Sequence, residues 1–399
     1  MPIMPFTKSK RPLKIAVIIK RFITTGGAER YAYEITKRIA KEHEVHVFAH
    51  KWDYDAPDIK FHRLANPINK PSWIKQWVFS RKCGDILKKD NFDIVHTHEK
   101  IVNFDVMTIH SPCFKSGVFK SKKNALGIIK LLTTFFNPRK LGWLLLENRQ
   151  FKSGKNKIFI AVSNNVKEDV MLSYGTEDSR FHIAYPGVGL NMELLNVCKQ
   201  EKVNLRKSYG ISSEDTVFLF VGSEFKRKGL DVLLRAIAGL KDEKVKLLVA
   251  GDGGGRLRED EALVGKMGIS QKVTFLGLVK EVERLYGISD ALVLPTISDP
   301  SPLVPLEAMW CGVPVVMSAP KYCGASEHIR NDEALILKDP HDSATLSQLL
   351  RRLLDPHFRG EMSLKGRELA MGITWDKTTQ ETLLAYEHAL RFKAYPRET

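Results

Sequence analysis

Cysteine is scarce in this chain, five residues in 399. Cys83, Cys113, Cys198, Cys311 and Cys323 are odd in number, and none stands in a Cys-x-x-Cys pair. That argues against a disulfide framework or a structural zinc site and for a reducing compartment. Long apolar runs are missing too: nothing reaches the roughly 18–20 residues that span a bilayer. The run Ile15–Ile19, between Lys14 and Lys20, is too short for an export signal and reads as a strand, so a cytoplasmic protein is expected. Acid is in short supply, with 46 Asp and Glu against 62 Lys and Arg, a net charge of +16. Such a surplus suits nucleic acid, an anionic membrane surface or anionic substrates. Zinc-finger spacing, an RNP-type aromatic motif and a long basic tail are all absent, which sets nucleic acid aside. The Gly-x-Gly-x-x-Gly fingerprint is absent as well, which weakens a dehydrogenase reading. No internal repeat or low-complexity segment appears.

What is present fits a globular protein of two domains, 43% apolar and too long for one ordinary core. Apolar runs at Leu13–Ile19, Val45–Ala49, Asp93–His96, Val106–His110, Ile158–Val162 and His182–Pro186 predict one set of strands. A second set follows at Thr216–Val221, Lys246–Ala250, Val273–Leu276, Ala291–Pro295 and Val313–Met317, alternating with glycines and helices. The alternation in EVHVFAH places Val45–Ala49 toward a sheet edge, and the polar stretch Lys199–Asp215 is expected to link the halves. The expected domains are 1–190, 191–374 and a helical tail, 375–399, returning to the first.

The stretch 291–318 organises the chemistry. A buried strand leads to a polar loop with Ser298, Asp299 and Ser301. A helix expected over Pro305–Trp310 stops at Gly312, and a further strand follows. Loops at the carboxyl ends of parallel strands are where ligands bind. Glu307, eight residues after Asp299, is an acid inside an apolar helix. A buried carboxylate needs hydrogen-bond donors, and a ligand hydroxyl is one candidate; a structural hydrogen bond to Glu307 and a capping Asp299 are the alternative. In the first half, the loop Phe22–Ala28 carries Gly26 and Gly27 before a helix over Glu29–Lys41, where backbone can approach an anion closely. His98 and His110 fall at the ends of successive strands, with no acid or cysteine at metal-ligand spacing. In the second half, Gly222 turns the chain after a strand, and Arg227 and Lys228 precede a helix expected over Leu230–Leu240. Cations there, added to the helix amides, hold a diphosphate without a metal; a solvated basic loop is the plain alternative.

These motifs together resemble the retaining GT-B glycosyltransferases of family 4. The resemblance runs from Lys14 to Tyr386 and is nearest in pattern to the lipopolysaccharide-core glucosyltransferases. It implies an α/β GT-B fold: two facing Rossmann-like parallel-sheet domains, with a C-terminal helix crossing back to the first. It implies transfer of a hexose, from UDP-glucose or another UDP-hexose, to a membrane-associated glycan or glycolipid such as lipopolysaccharide inner core. A nucleotide-sugar epimerase and a non-catalytic nucleotide-sugar-binding protein remain alternatives. In the family's pattern Arg227 and Lys228 neutralise the leaving diphosphate, with amides near Leu303 and Val304. Glu307 accepts from ribose hydroxyls, and Asp299, where the family has glutamate, binds donor-sugar hydroxyls. His110 lies beside the donor sugar, and His98 with Glu29 lines the acceptor side. Gly26, Gly27 and Gly222 give backbone access to the donor, Leu278 and Val279 face the base, and Glu327 matches a later glutamate. No metal or cofactor beyond the donor is implied.

Residues 114–152 interleave lysines and arginines with Phe114, Phe119, Phe135, Phe136 and Trp143. That composition suits a segment lying on an anionic membrane, which would make the protein peripheral on the inner face of the cytoplasmic membrane. A pair of ordinary helices with solvated basic edges is the alternative.

Overall fold

The computed structural model describes residues 11–53, 56–64, 71–88, 90–119, 136–152, 156–240, 242–330 and 332–394. Two compact units result. One comprises the chain up to Tyr185 together with the segment from Trp375, and the other is Pro186–Thr374.

The first unit is built on a seven-stranded sheet. Its strands are β1 (Lys14–Ile18), β3 (Glu44–Ala49), β5 (Ile59–Arg63), β6 (Ile94–Thr97), β7 (Val106–Ile109), β8 (Ile158–Ala161) and β9 (Phe181–Ile183). The short β2 (Arg21–Phe22) and β4 (Lys51–Trp52) form a separate pair. The large sheet runs β5-β3-β1-β6-β7-β8-β9, and every pairing is parallel. Strand order therefore reverses between β1 and β6, and the crevice outside their carboxyl ends is the place for a ligand. The edge expectation for Val45–Ala49 is corrected: β3 pairs on both sides, and β5 holds the edge. The alternation misled because His46, polar in the pattern, is buried between His62, 5.0 Å away ring to ring, and Phe92. The helix Trp375–Ala394 packs in this unit, with Tyr386 OH 2.8 Å from His96 Nδ1 and Asp376 2.8 Å from Arg38.

The second unit carries β10 (Thr216–Val221), β11 (Val245–Ala250), β12 (Val273–Gly277), β13 (Ala291–Leu294), β14 (Val315–Ser318) and β15 (Leu335–Leu337). They run β12-β11-β10-β13-β14-β15, again all parallel, and the order reverses between β10 and β13. Both faces are covered, which is why these strands read as continuous apolar runs. Phe218, Phe220, Leu247, Val249 and Val293 enter one core, while Val217, Leu219, Leu248, Leu292 and Met317 enter the other. The polar stretch expected as a linker is instead helical over Lys202–Ser208, after a helix at Met192–Gln200. It is anchored in this unit by the buried Arg206, whose guanidinium donates to Asp290 at 2.6 Å.

All five cysteines are buried and unbridged. Burial pushes the thiols of Cys83, Cys311 and Cys323 up to about 12, so they stay protonated and inert near neutral pH.

Candidate functional site: the carboxyl ends of β10 and β13

Two loops meet at the strand reversal of the second unit. After β10 the chain turns through Gly222 into a short helix, Phe225–Lys228, which ends at Gly229 with φ of 81°. After β13 it runs through Pro295–Pro302 into the helix Leu303–Trp310. The loops are stitched by backbone: Ile297 N–H donates to the Arg227 carbonyl at 2.9 Å, and Thr296 Oγ1 to the same oxygen at 3.2 Å. Only glycine fits at position 229. Besides its left-handed backbone, a Cβ there would stand 2.0 Å from the Pro295 carbonyl oxygen. Gly222 has a parallel role, because a Cβ on it would press the Lys228 side chain at 3.1 Å.

This seam brings Arg227, Lys228 and Asp299 together. Lys228 Nζ donates to Asp299 Oδ2, and both side chains are almost wholly buried, 12% and 9% exposed. Arg227 Nη1 lies 3.7 Å from the same oxygen, donates to the Ser298 carbonyl at 2.6 Å, and has its Nε held by Glu224 at 2.6 Å. Asp299 is fixed in turn from the far side, its N–H donating to Tyr322 O at 2.8 Å and its carbonyl accepting from Gly324 N–H at 3.0 Å. One buried carboxylate thus faces two cations at the carboxyl edge of the sheet, with the more exposed Glu224 balancing the second charge from the outer side. Such an arrangement can hold a polyanion, with Asp299 limiting how far the lysine wanders.

Glu307 sits one turn into the neighbouring helix, 4% exposed, and accepts from Tyr286 OH at 3.1 Å. The helix starts at Leu303, two residues before the expected Pro305, so the amides of Leu303 and Val304 form its first turn. Proline is tolerated there because first-turn amides have no partner inside the helix. Leu278 and Val279 follow β12, separated from β10 by β11. Leu278 is largely exposed, and Val279 leans on the core. Glu327 lies in the single turn Gly324–His328, directly after the segment that holds Asp299.

The remaining candidates lie in the first unit, at its own strand reversal. Gly26 caps the helix Gly27–Ile39 with φ of 91°, and Glu29 in the first turn pairs with Arg21 at 2.5 Å. His98 and His110, at the ends of β6 and β7, are joined by a 2.9 Å hydrogen bond between Nδ1 and Nε2, and Tyr31 stands edge-on to both rings. Burial holds the His110 imidazole down to about 3 and drives that of His98 well below its ordinary value. Both are therefore neutral near pH 7 and act as hydrogen-bonding groups, not cations.

Of the basic and apolar segment 114–152, the structure describes helices Phe114–Phe119 and Pro138–Phe151; residues 120–135, with Lys120, Lys122, Lys123, Lys130 and Phe135, lie outside the described residues. Phe136 is 87% exposed and Leu145 58%. No helix among the described residues is long and apolar enough to cross a membrane. Sequence reasoning missed Tyr286, whose partner Glu307 is distant in sequence, Glu224, which holds Arg227 three positions on, and Glu147, whose donors come from three separate segments.

Comparison with known proteins places this geometry. Residues 25–191 match the family described as Glycosyltransferase Family 4, and residues 201–368 that described as Glycosyl transferases group 1. The chain is 27% identical over 413 residues to the uncharacterized glycosyltransferase MJ1607 of Methanocaldococcus jannaschii, covering 95% of this chain and 99% of that one. It is 26% identical over 351 residues to the lipopolysaccharide glucosyltransferase WaaG of Escherichia coli K12, covering 85% and 89%. The crystal structure of WaaG aligns with a TM-score of 0.78 at 24% identity, over 93% of this chain and 98% of that one. Anabaena HepE in complex with UDP-glucose aligns at 0.68 and 17% identity, over 96% and 100%. At these identities the structural likeness speaks for the fold. Since the two family matches take the two parallel-sheet units in turn, the chain belongs to the group 1 and family 4 glycosyltransferases, built on the GT-B fold.

Proposed function

We propose that this glycosyltransferase is a retaining, metal-independent hexosyltransferase that uses a UDP-hexose, UDP-glucose foremost, and a membrane-associated glycan or glycolipid such as lipopolysaccharide inner core. The observation that carries this reading is the buried Lys228–Asp299 pair with Arg227 beside it at the β10–β13 reversal. Arg227 and Lys228 can turn from Glu224 and Asp299 toward a departing diphosphate, so no metal is demanded. The anomeric C–O bond to the diphosphate breaks, the acceptor oxygen bonds to the same face of that carbon, and the acceptor proton passes to a diphosphate oxygen. Arg227, Lys228 and the amides of Leu303 and Val304 stabilise the departing charge. Glu307 accepts from the ribose, Asp299 from the sugar, and the neutral His110 hydrogen-bonds near the anomeric centre. Aspartate in place of glutamate shortens the reach by roughly 1.3 Å on standard bond lengths, which bears on donor choice.

Charge distribution supports the membrane-side acceptor. The first unit holds 37 lysines and arginines against 21 acids, a surplus of +16, whereas the second holds 25 of each and is neutral. Every net charge of the chain thus belongs to the acceptor-side unit. Within 114–152 nine basic residues face one acid, Glu147. Such a composition favours attraction to anionic lipid on the inner face of the cytoplasmic membrane.

The test incubates the protein with radiolabelled UDP-glucose, UDP-galactose or GDP-mannose, with and without membrane lipid extract, in the presence and absence of EDTA. Acceptor-dependent label in lipid, insensitive to EDTA and with the donor's anomeric configuration by NMR, is expected. An altered free sugar nucleotide would mean epimerisation, and binding without turnover would mean a non-catalytic protein; either overturns the proposal.

A further inference from the structure

His98 and His110 follow β6 and β7, and a 2.9 Å hydrogen bond joins His98 Nδ1 to His110 Nε2. Burial keeps both rings neutral near pH 7. One of the two nitrogens is therefore a donor and the other an acceptor. Their surroundings decide which. His98 is 9% exposed, and its second nitrogen, Nε2, is buried without a hydrogen-bond partner among the described residues. No ligand reaches that atom. The His96 ring, centred 4.4 Å away, offers it nothing, because its own nitrogens are engaged by Tyr386 OH at 2.8 Å and Thr108 Oγ1 at 2.7 Å. An orphaned buried N–H is rarer than an under-used acceptor. The bare nitrogen of His98 is thus Nε2, its proton sits on Nδ1, and His98 donates to His110 Nε2.

The consequence falls on His110, which borders the cavity at these strand ends. With Nε2 occupied as an acceptor, the His110 proton is placed on Nδ1, the ring nitrogen left for a ligand. An unconstrained histidine side chain prefers the opposite form, protonated at Nε2, so a neighbour must enforce this one. His98 is held rigidly enough to do so. Its backbone N–H donates to Ile18 O at 2.9 Å, and its ring lies 5.3 Å from that of His110 at 24°. Tyr31 stands edge-on to both rings, its own hydroxyl tied to Ala184 O at 3.2 Å.

We propose that His98 is a positioning residue: by donating to His110 Nε2 it fixes His110 as an Nδ1–H hydrogen-bond donor toward the reacting sugar, and it does not itself meet the acceptor. This rests on the reading that places His110 near the anomeric centre. His110 then steadies an oxygen and takes up no proton, in keeping with passage of the acceptor proton to the diphosphate.

The experiment records long-range proton–nitrogen correlation spectra of the full chain carrying isotope-labelled histidine, with His110 assigned by its loss in His110→Gln. Transfer kinetics and UDP affinity are measured on the wild type, His98→Leu and His98→Asn. In the wild type, His110 should be protonated at Nδ1. In His98→Leu it should move toward the Nε2–H form and kcat should fall about tenfold, the worth of one oriented hydrogen bond, with donor KM and UDP affinity unchanged. Asparagine sets an amide N–H where His98 Nδ1 stands, so His98→Asn should restore the Nδ1–H form and recover most of the lost kcat. A purely structural role would lower stability in both variants and leave the tautomer alone. A wild-type His110 protonated at Nε2, a tautomer unchanged in His98→Leu, or equal kcat in the leucine and asparagine variants would overturn the proposal. Should His98→Leu fail to fold, the wild-type spectrum and His98→Asn carry the test. Failure of the transfer reading would appear separately, as a wild-type protein without transferase activity whose His110 is still protonated at Nδ1.

Discussion

Replacing Lys228 by methionine separates what the Lys228–Asp299 pair does for the fold from what it does for the reaction. Methionine keeps the length and apolar stem of the side chain but leaves Asp299, 9% exposed, with only Arg227 Nη1 at 3.7 Å as counter-charge. Removing one partner of a buried pair costs ~3–5 kcal/mol, and the remaining arginine puts this case near the lower end. At roughly 2–4 °C per kcal/mol for a unit of this size, melting should fall by about 6–12 °C. Adding Asp299→Asn removes the orphaned charge and should return most of that loss. Activity should behave differently. A cation facing the leaving diphosphate contributes on the order of 10²–10³ in kcat, and the double variant regains none of it. Calorimetric melting, UDP titration and transfer assays on the wild type, both single variants and the double variant decide the matter. A double variant as unstable as Lys228→Met would show that the ion pair is not the source of the loss. Transfer within a few-fold of wild type would show that Lys228 does not meet the leaving group.

Gly229→Ala should destabilise by about 2–4 kcal/mol, combining a left-handed alanine with an overpacked seam; a wild-type urea midpoint would contradict the 2.0 Å approach to Pro295. Arg227→Gln should change stability by less than about 1 kcal/mol, because the side chain is 38% exposed, yet weaken UDP binding about tenfold or more; equal UDP titrations would remove Arg227 from the donor site. Buried His96 and His110 have folded values near 3 against 6.5 unfolded. Below pH 6.5 the unfolded chain therefore binds more protons, and stability should fall steadily toward pH 3. Denaturant midpoints that stay flat from pH 7 to 4 would contradict this.

How much of the site could be read beforehand depended on whether its cause was local. β10, β11 and β13 stood out because both their faces are buried, so unbroken apolar runs mark them. β5, spelled IKFHR, escaped notice because its side chains are half-polar and it lies at the edge. The helix Ser72–Leu87 was hidden by Gly84 and by an apolar spacing too irregular for a clean stripe. Arg227, Lys228, Asp299 and Glu307 were picked out individually, but nothing in their spacing says that one aspartate faces both cations. Glu147 lay in plain view as the single acid of a basic segment. Its four donors, from Lys100, Phe114, Lys115 and Tyr174, could not be foreseen.

The amino-acid order alone determined the alternation of apolar runs with glycine-bounded helices, and with it two parallel sheets. It also determined a surplus of positive charge confined to one of the two units and a set of candidate residues at strand ends. These follow from burial and backbone geometry that act within a few residues. The folded chain decided which strands neighbour which, and so where each sheet reverses its order. It also decided that Lys228 meets Asp299 across 71 positions of sequence and that Lys100 meets Glu147 across 47. Ion pairs and buried, neutral imidazoles depend on distance in space and on exclusion of water, and neither exists until the sheets have formed.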